Sequence, residues 1–249
     1  YTVADFESFD SKSRTWKLKE GVVDSSPLSD TPRPGNAKFK KLTPVDPNST
    51  NSYQLTEADR TVIGNTTPKF SGGFGLNATY KGFDMSMFFN FMYDFDVLNA
   101  NKITLTTWAD NKENNFLMDI ASDKRWRNFD DMGNEIRYSP EVLAEFNKNA
   151  TMWNPTSIGR PICMSYAVED GSFLRLNSAT LGYTLPSVWT KKVGLSKVRF
   201  YVSGNNLFTL TGYSGYDPEV NIATGLTPNI DYNRYPRSRT YTFGAQLTF

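Results

Sequence analysis

The chain contains no histidine, one cysteine and no long apolar run. Histidine is the commonest side chain used as a general base and as a transition-metal ligand, so its absence argues against many hydrolase and metalloenzyme sites. With Cys163 as the single thiol, neither an internal disulfide nor a cysteine-cluster metal site can form. A transmembrane helix needs about 20 mostly apolar residues in succession, and no such run exists. Membrane-spanning strands remain open, because alternate residues of such strands face water.

Charge and motifs exclude further classes of function. Lys and Arg number 27 against 26 Asp and Glu, which leaves a net charge of +1 and predicts no nucleic-acid partner. The pair Gly72-Gly73 suits close strand packing better than phosphate binding. Neighbouring carboxylates such as Asp130 and Asp131 have no histidine or nucleophile to work with. We therefore expect no enzyme activity, no cofactor and no metal site.

The end of the sequence, residues 236–249, shows a strict alternation. From Tyr241 to Phe249 the odd positions are apolar and the even positions are small or polar. A strand sends successive side chains to opposite faces, so this strand has one apolar and one polar face. Such a strand either covers a core on one side of a soluble sheet or faces lipid outside a barrel with a polar lumen.

The same period of two occurs twice more. It predicts a hairpin over residues 68–94, with the turn at Lys81-Gly82, and a second hairpin over residues 172–210. These strands run for about a dozen residues, longer than the usual 5–6 of globular sheets and long enough for tilted membrane strands. In the second hairpin the alternation slips near Asn177, which indicates a bulge or a protein-covered upper half.

Three segments lack this period and are predicted as loops: residues 1–66, 95–168 and 212–235. Within the first, residues 14–19 and 38–42 are predicted to pair as a small hairpin. Within the second, residues 112–128 and 139–150 are predicted as short helices, the latter with Ser139 as N-cap and Pro140 at the first helical position.

Short and long connections alternate along the chain, which is typical of outer-membrane barrels. The predicted fold is all-β: about five antiparallel strands of a transmembrane barrel, with residues 236–249 as the closing strand. We expect the long loops to be extracellular and the C-terminus to lie on the periplasmic side. Five neighbouring strands cannot close a barrel, so we expect the chain to be part of a longer protein. The predicted lipid-facing residues are Phe74, Phe89, Val202, Phe243 and Phe249.

Aromatic residues are concentrated in the long loops. Trp108, Trp126 and Trp153 lie in the second loop, and Tyr213 and Tyr216 lie in the last one. Aromatic faces suit sugars and peptides, so these five are candidate contacts for a solute or a partner. The alternative is that they pack the loops' own small cores.

Several stretches resemble the SusC/RagA family of TonB-dependent outer-membrane transporters. They follow the order of that family and cover residues 62–249: Val62-Ile63-Gly64-Asn65-Thr66-Thr67-Pro68-Lys69-Phe70, Tyr80-Lys81-Gly82-Phe83-Asp84, Val168-Glu169-Asp170-Gly171-Ser172-Phe173-Leu174-Arg175-Leu176, Leu181-Gly182-Tyr183-Thr184-Leu185-Pro186, Val202-Ser203-Gly204-Asn205-Asn206-Leu207-Phe208, Tyr213-Ser214-Gly215-Tyr216-Asp217-Pro218-Glu219 and Tyr235-Pro236-Arg237-Ser238-Arg239-Thr240-Tyr241-Thr242-Phe243-Gly244.

The resemblance implies a barrel of about 22 strands with a plugged lumen. It further implies import of oligosaccharides or oligopeptides, a SusD-like surface lipoprotein as partner, and energy from TonB through an N-terminal TonB box. One departure is the loop at residues 44–51, which lacks the glycine of a tight Ca²⁺ loop. The alternative function is a soluble all-β, lectin-like carbohydrate-binding module, in which Phe74, Phe89, Phe200 and Phe243 would pack against one another.

Overall fold

The computed structural model describes residues 1–46, 48–107, 115–121, 123–157, 162–219 and 228–249. The strands of these residues, in chain order, are β1 (Phe6–Asp10), β2 (Thr15–Leu18), β3 (Phe70–Tyr80), β4 (Phe83–Tyr93), β5 (Asp96–Asn99), β6 (Val168–Asp170), β7 (Phe173–Thr184), β8 (Lys197–Thr211), β9 (Ile230–Asp231) and β10 (Thr240–Thr248). The helices are α1 (Ala100–Thr104), α2 (Pro140–Phe146) and α3 (Ser187–Thr190). Short 3-10 helices occur at Val3–Asp5, Glu57–Asp59, Met118–Ile120, Pro155–Ser157, Ser165–Ala167 and Lys191–Val193. None of the helices in the described ranges is long and apolar enough to cross a membrane.

The chain divides into two units. The first unit comprises Tyr1–Val62 and Asn101–Met164, and the second comprises Ile63–Ala100 and Ser165–Phe249. The second unit contains the main sheet, which has five strands in the order β10-β8-β7-β4-β3. Every neighbouring pair in this sheet is antiparallel. The predicted fold class, all-β with antiparallel strands and short helices in the long connections, is confirmed.

Consecutive strands of the main sheet are joined tightly at one end, called here the turn end. Lys81 and Gly82 connect β3 to β4 with positive φ angles of 47° and 88°. Two positive φ angles in a two-residue loop define a type I′ turn, whose twist matches that of a hairpin. From β7 to β8 the chain passes through α3 and a 3-10 turn that stops at Gly194, with φ 72°. The opposite end, from which the connections over residues 94–172 and 212–239 leave, is called the loop end.

A bulge interrupts the sheet near its middle, as the slipped alternation predicted. Between β7 and β8 the register shifts between Leu176 and Ser178, and the β4–β7 pairing shifts at Phe88/Phe89. The residue left over in β7 is Asn177. On the far side of the bulge, toward the loop end, even-numbered residues of β7 take the face that odd-numbered residues take nearer the turn end.

A small second sheet caps the loop end of the main one. Its order is β6-β5-β9, with β5 antiparallel to β6 and parallel to β9. Beneath it, buried residues Phe95, Val97, Phe173 and Tyr213 form a core against which Met92 packs. The long connections therefore return to the sheet and fold on it.

The first unit is built on a hairpin and a loop core. The hairpin pairs β1 with β2, and Phe9 packs on Trp16 with ring centroids 4.9 Å apart. The core consists of Trp126, Ile136 and Leu143, the last of these on α2.

Two expectations for this unit are wrong. Residues 14–19 pair with β1 and not with residues 38–42, because only a short turn separates the two strands and a short loop is cheap to close. In the other segment the backbone N–H groups of Leu42 and Thr43 donate to the Asp59 carboxylate, at 2.9 and 2.7 Å, so they are not free for a strand ladder.

The predicted helix over residues 112–128 is also wrong where it can be compared. Residues 112–114 and 122 lie outside the described residues, and of the remainder only Met118–Ile120 forms a 3-10 turn. Trp126 donates its backbone N–H to Met152 at 2.9 Å, so this part of the chain is held extended against another segment. The other helix begins as predicted, with Ser139 before Pro140, but ends at Phe146 and not at residue 150.

Candidate functional site

The strand register sorts the side chains of the main sheet onto two faces. Residues directly opposite each other on neighbouring strands share a face. One face carries apolar rows that cross from strand to strand: Leu76, Met87, Ala179, Gly204 and Tyr241; Ala78, Met85, Leu181, Val202 and Phe243; Tyr80, Phe83, Tyr183, Phe200 and Ala245. The opposite face carries small and polar rows, such as Asn77, Ser86, Thr180, Ser203 and Thr242. We call these the apolar face and the polar face.

Four of the predicted lipid-facing residues lie on the apolar face. Phe74 lies opposite Phe89, and their rings stack at 4.9 Å between centroids. Val202 lies opposite Phe243, which is 80% exposed. Phe249 follows β10 at the turn end and is 89% exposed. Whether this face meets lipid stays a prediction.

An ion pair spans three strands on the polar face near the turn end. Asp84 on β4 accepts hydrogen bonds from Arg199 on β8, including one of 2.8 Å from Nε. Between them lies Gly182 on β7, where an added Cβ would stand 2.6 Å from the Asp84 carboxylate. Glycine is therefore required here so that the arginine can cross the intervening strand.

A buried charge cluster lies on the polar face nearer the loop end. Arg175 on β7 is 2% exposed and donates to Asp217 through both terminal nitrogens, at 3.2 and 2.5 Å. Its Nε lies 3.0 Å from Glu219, which also meets Arg237 at 3.3 Å. Burial on its own would raise the pKa of Asp217, but the hydrogen bonds from Arg175 and from backbone N–H groups hold it below its ordinary value. The cluster therefore ties the loop after β8 onto the polar face.

A second set of bonds fixes the same loop. The Tyr213 hydroxyl donates to Asp231 at 2.7 Å, and burial together with this bond raises the pKa of Tyr213 far above its ordinary value. Glu169 accepts from the backbone N–H and the hydroxyl of Ser214, at 2.9 and 2.8 Å. Asn99 also donates to Glu169, at 3.1 Å. The loop is thus pinned on both sides of Tyr213.

The predicted contact aromatics fall into different environments. Tyr213 (6% exposed) and Trp126 (5% exposed) are packed in the cores of their respective units. Trp153 is half-buried, and its indole N–H donates to the Thr106 carbonyl at 3.1 Å. Tyr216, directly before Asp217 of the charge cluster, is 85% exposed. Trp108 lies outside the described residues.

Sequence reasoning missed Arg175, Asp217 and Glu219 as a unit. All three lie in stretches that resemble the family, but nothing in the sequence shows that residues about forty positions apart are in contact. One local signal was present: Arg175 is a charged residue between Leu174 and Leu176 in an apolar strand segment, and a buried charge needs a partner. Among the described residues, no group of three or more Asp, Glu, His or Cys side chains is arranged to hold a metal ion.

Comparison with known proteins places this sheet in a family. No family model matches the chain. A TonB-dependent receptor of Formosa agariphila, P3, is 35% identical over 202 residues, an alignment that covers 79% of this chain and 18% of that protein. The TonB-dependent receptor SusC of Bacteroides thetaiotaomicron is 38% identical over 88 residues, or 34% of this chain and 8% of SusC. The predicted resemblance to SusC-type TonB-dependent receptors is confirmed.

Solved structures agree with these SusC-type relatives. A structure of the RagAB peptide transporter matches 74% of this chain and 17% of the compared chain, with 26% identity and a TM-score of 0.51. Another RagAB structure, in an open-open state, matches 82% and 20%, with 25% identity and a TM-score of 0.53. The chain spans about a fifth of the length of the SusC-type receptors that it matches over most of its own length.

Proposed function

We propose that this chain forms part of the wall of a SusC-type outer-membrane importer. Its five long strands are the C-terminal strands of a barrel of about 22 strands, with the apolar face toward lipid and the polar face toward a plugged lumen. The observation that carries the proposal is the apolar face itself. It crosses all five strands, and the described residues leave it uncovered, with Phe243 at 80% and Phe200 at 52% exposure.

The proposed orientation puts the loop end outside the cell and the turn end in the periplasm. Outer-membrane barrels have long extracellular loops and short periplasmic turns, and the connections of this sheet divide in that way. At the turn end, Trp189 is 60% exposed beside Lys191 and Lys192. Trp and Lys side chains are favoured at membrane–water interfaces, which supports an interfacial position for this turn.

The transported solute is an oligosaccharide or an oligopeptide, and TonB supplies the energy. The relatives support TonB dependence by name, and the RagAB structures are those of a peptide transporter. By analogy with such complexes, a SusD-like lipoprotein is the proposed surface partner. Binding and passage of the solute, without enzymatic conversion, is the proposed role.

Among the candidate contact aromatics that the structure describes, Tyr216 is the most exposed, at 85%, and we propose it as the contact with a solute or partner. The bonds around Tyr213 and Arg175 hold its loop in place, which limits the entropy lost when a ligand binds. We propose that Tyr213 and Trp126 act by supporting loop structure.

A soluble lectin-like module is less well supported. That function needs a second layer over the apolar face, with Phe74, Phe89, Phe200 and Phe243 in mutual contact. Phe74 and Phe89 do stack. Phe200 and Phe243, however, lie opposite Ala245 and Val202 and are both more than half exposed.

Cysteine labelling of the full-length receptor in intact cells tests the orientation. In a background with Cys163→Ser and any other cysteines replaced, Tyr216→Cys is expected to react with a membrane-impermeant PEG-maleimide. Val193→Cys at the turn end, 69% exposed, is the matched control and should react only after the outer membrane is permeabilised. Equal labelling of both sites in intact cells, or recovery of the receptor in the soluble fraction, would contradict the proposal.

Uptake assays test the transport role. Deleting the gene for the receptor, or separately the gene for TonB, should abolish growth on the same oligosaccharides or oligopeptides. Growth that is lost with the receptor but unaffected by loss of TonB would refute energised import.

A further inference from the structure

A cavity of about 360 Å³ lies within the first unit. Its volume falls at the small end of ligand sites, which range over about 300–1,000 Å³. The hairpin contributes Arg14 and Trp16, the following loop Arg33, and the segment before α2 Arg137 and Tyr138. Several parts of the unit thus converge on one space.

Positive charge dominates the wall of this cavity. Three arginines face one carboxylate, Asp30, among its lining residues. The Arg137 guanidinium forms an ion pair with Glu135 at 2.7 Å. Within the described part of the chain, the guanidinium groups of Arg14 and Arg33 have no carboxylate within ion-pair distance. Two full positive charges are therefore available to a ligand.

An aromatic ring positions two of the arginines. The Arg14 guanidinium carbon lies 4.9 Å from the centroid of Tyr138, and that of Arg137 lies 5.7 Å from the same centroid. Contact with a ring face orients a guanidinium while leaving its N–H edge free. That edge matches the two oxygens of a carboxylate or sulfate in a bidentate pair.

The turn of the β1–β2 hairpin sets the backbone at Arg14. Its φ angle is 55°, a left-handed conformation like that of Lys81 in the β3–β4 turn. Here it places a guanidinium at the mouth of the hairpin, over Tyr138.

We propose that this cavity is a binding site for the acid group of a small organic anion, a carboxylate or a sulfate ester. Arg14 and Arg33 supply the pairing charges, and Arg137 contributes a third, partly neutralised one. Asn36 and Asn128 in the same wall offer amide groups to the neutral remainder of the ligand. The site goes beyond the proposed import function, since it requires only that the first unit be folded.

Saturation-transfer NMR on the full-length receptor in detergent tests the site. Millimolar glucuronate, glucose 6-sulfate and glutarate are the anionic probes, and glucose is the neutral one. The variant Arg14→Gln/Arg33→Gln removes the two pairing charges. The matched control, Lys12→Gln/Arg60→Gln, removes two positive charges of the same unit that do not line the cavity. Circular dichroism confirms folding of each variant.

We expect at least one anion to bind more tightly than glucose and to lose about tenfold or more in affinity in the arginine variant, because charge-assisted hydrogen bonds are each worth a factor of ten or more. The control variant should bind as the wild type does. Tight binding of glutarate would show that the site recognises the acid group alone. Preference for glucuronate or glucose 6-sulfate would show that it also recognises the sugar ring. Both results support the site. Equal binding of glucose and all three anions, or an arginine variant that binds as the control does, would overturn it.

Discussion

A pair of arginine substitutions at adjacent residues of β10 tests which face of the sheet meets lipid. Phe243 belongs to the apolar face, opposite Val202, and Thr242 belongs to the polar face, opposite Ser203. Phe243→Arg and Thr242→Arg therefore add the same side chain to the same strand at almost the same depth. Any difference between them reports the environment of the face and not the arginine itself.

The structure sets the expected magnitude. Strand β10 runs over Thr240–Thr248, so its midpoint is Gly244 and Phe243 lies one residue away. One residue of strand rises about 3.3 Å, which keeps Phe243 close to the bilayer midplane. An arginine on the lipid face at that depth costs about 2–4 kcal/mol. At Thr242 the added charge meets a polar lumen, and we expect a change within about 0.5 kcal/mol.

The assay is urea unfolding of the full-length receptor in lipid vesicles, with the heat-modifiable gel band as a second measure of folded barrel. The unfolding midpoint of Phe243→Arg should fall well below that of the wild type, and that of Thr242→Arg should stay near it. Equal losses, or a larger loss for Thr242→Arg, would refute the assignment of the faces.

Three further predictions concern the polar clusters. Arg175→Met should cost about 3–5 kcal/mol, measured by the same urea midpoint, because it leaves Asp217 buried without its cation; a neutral result would show that the cluster is solvated. Gly182→Ala should cost about 1–3 kcal/mol by forcing apart Arg199 and Asp84, whereas the control Gly75→Ala, whose Cβ would meet its nearest atom at an ordinary 3.5 Å, should not. Hydrogen bonds hold the pKa of Asp217 below its unfolded value, so its stabilisation is present above that value, about 3.9, and is lost as the pH falls through the folded pKa; Asp217→Asn should flatten the acid limb of stability against pH, and an unchanged limb would exclude this carboxylate as the cause.

Much of the main sheet could be predicted from the sequence because its pattern is local. Alternation is read within each strand, and the Lys81-Gly82 turn fixes the register of the first hairpin by itself. The bulge at Asn177 could also be predicted, because one extra residue reverses the alternation of apolar and polar residues in β7.

The loops could be predicted only in part because their structure depends on distant partners. Trp126 is extended by pairing with Met152 and not helical, and nothing nearby in sequence indicates this. Asp59 draws Leu42 and Thr43 away from the hairpin that local propensity suggested. Ser139-Pro140 was the exception, since a helix start is encoded by adjacent residues.

Which loop aromatics are exposed also depends on contacts with distant residues, so it could not be predicted from the sequence. A tyrosine in a Gly-, Pro- and Asn-rich loop has the same local sequence signature whether it supports the loop or meets a ligand. Tyr213 and Tyr216 are three residues apart, yet one is buried against Phe95 and Val97 and the other is 85% exposed.

The bulge at Asn177 has a consequence for how insertions and deletions are tolerated in this wall. It is the point where β7 exchanges parity: Leu174 and Leu176 join the apolar face beside Ala179 and Leu181, and Arg175 turns to the polar face. Loss of Asn177 itself would leave Leu176 next to Ser178 in regular alternation, so both faces would keep their residues. A residue inserted elsewhere in the upper segment and not absorbed by a bulge would instead turn that segment by half a turn, carrying the Arg175 guanidinium outward and the two leucines inward. Length changes in this strand should therefore be tolerated at the bulge and rare beyond it.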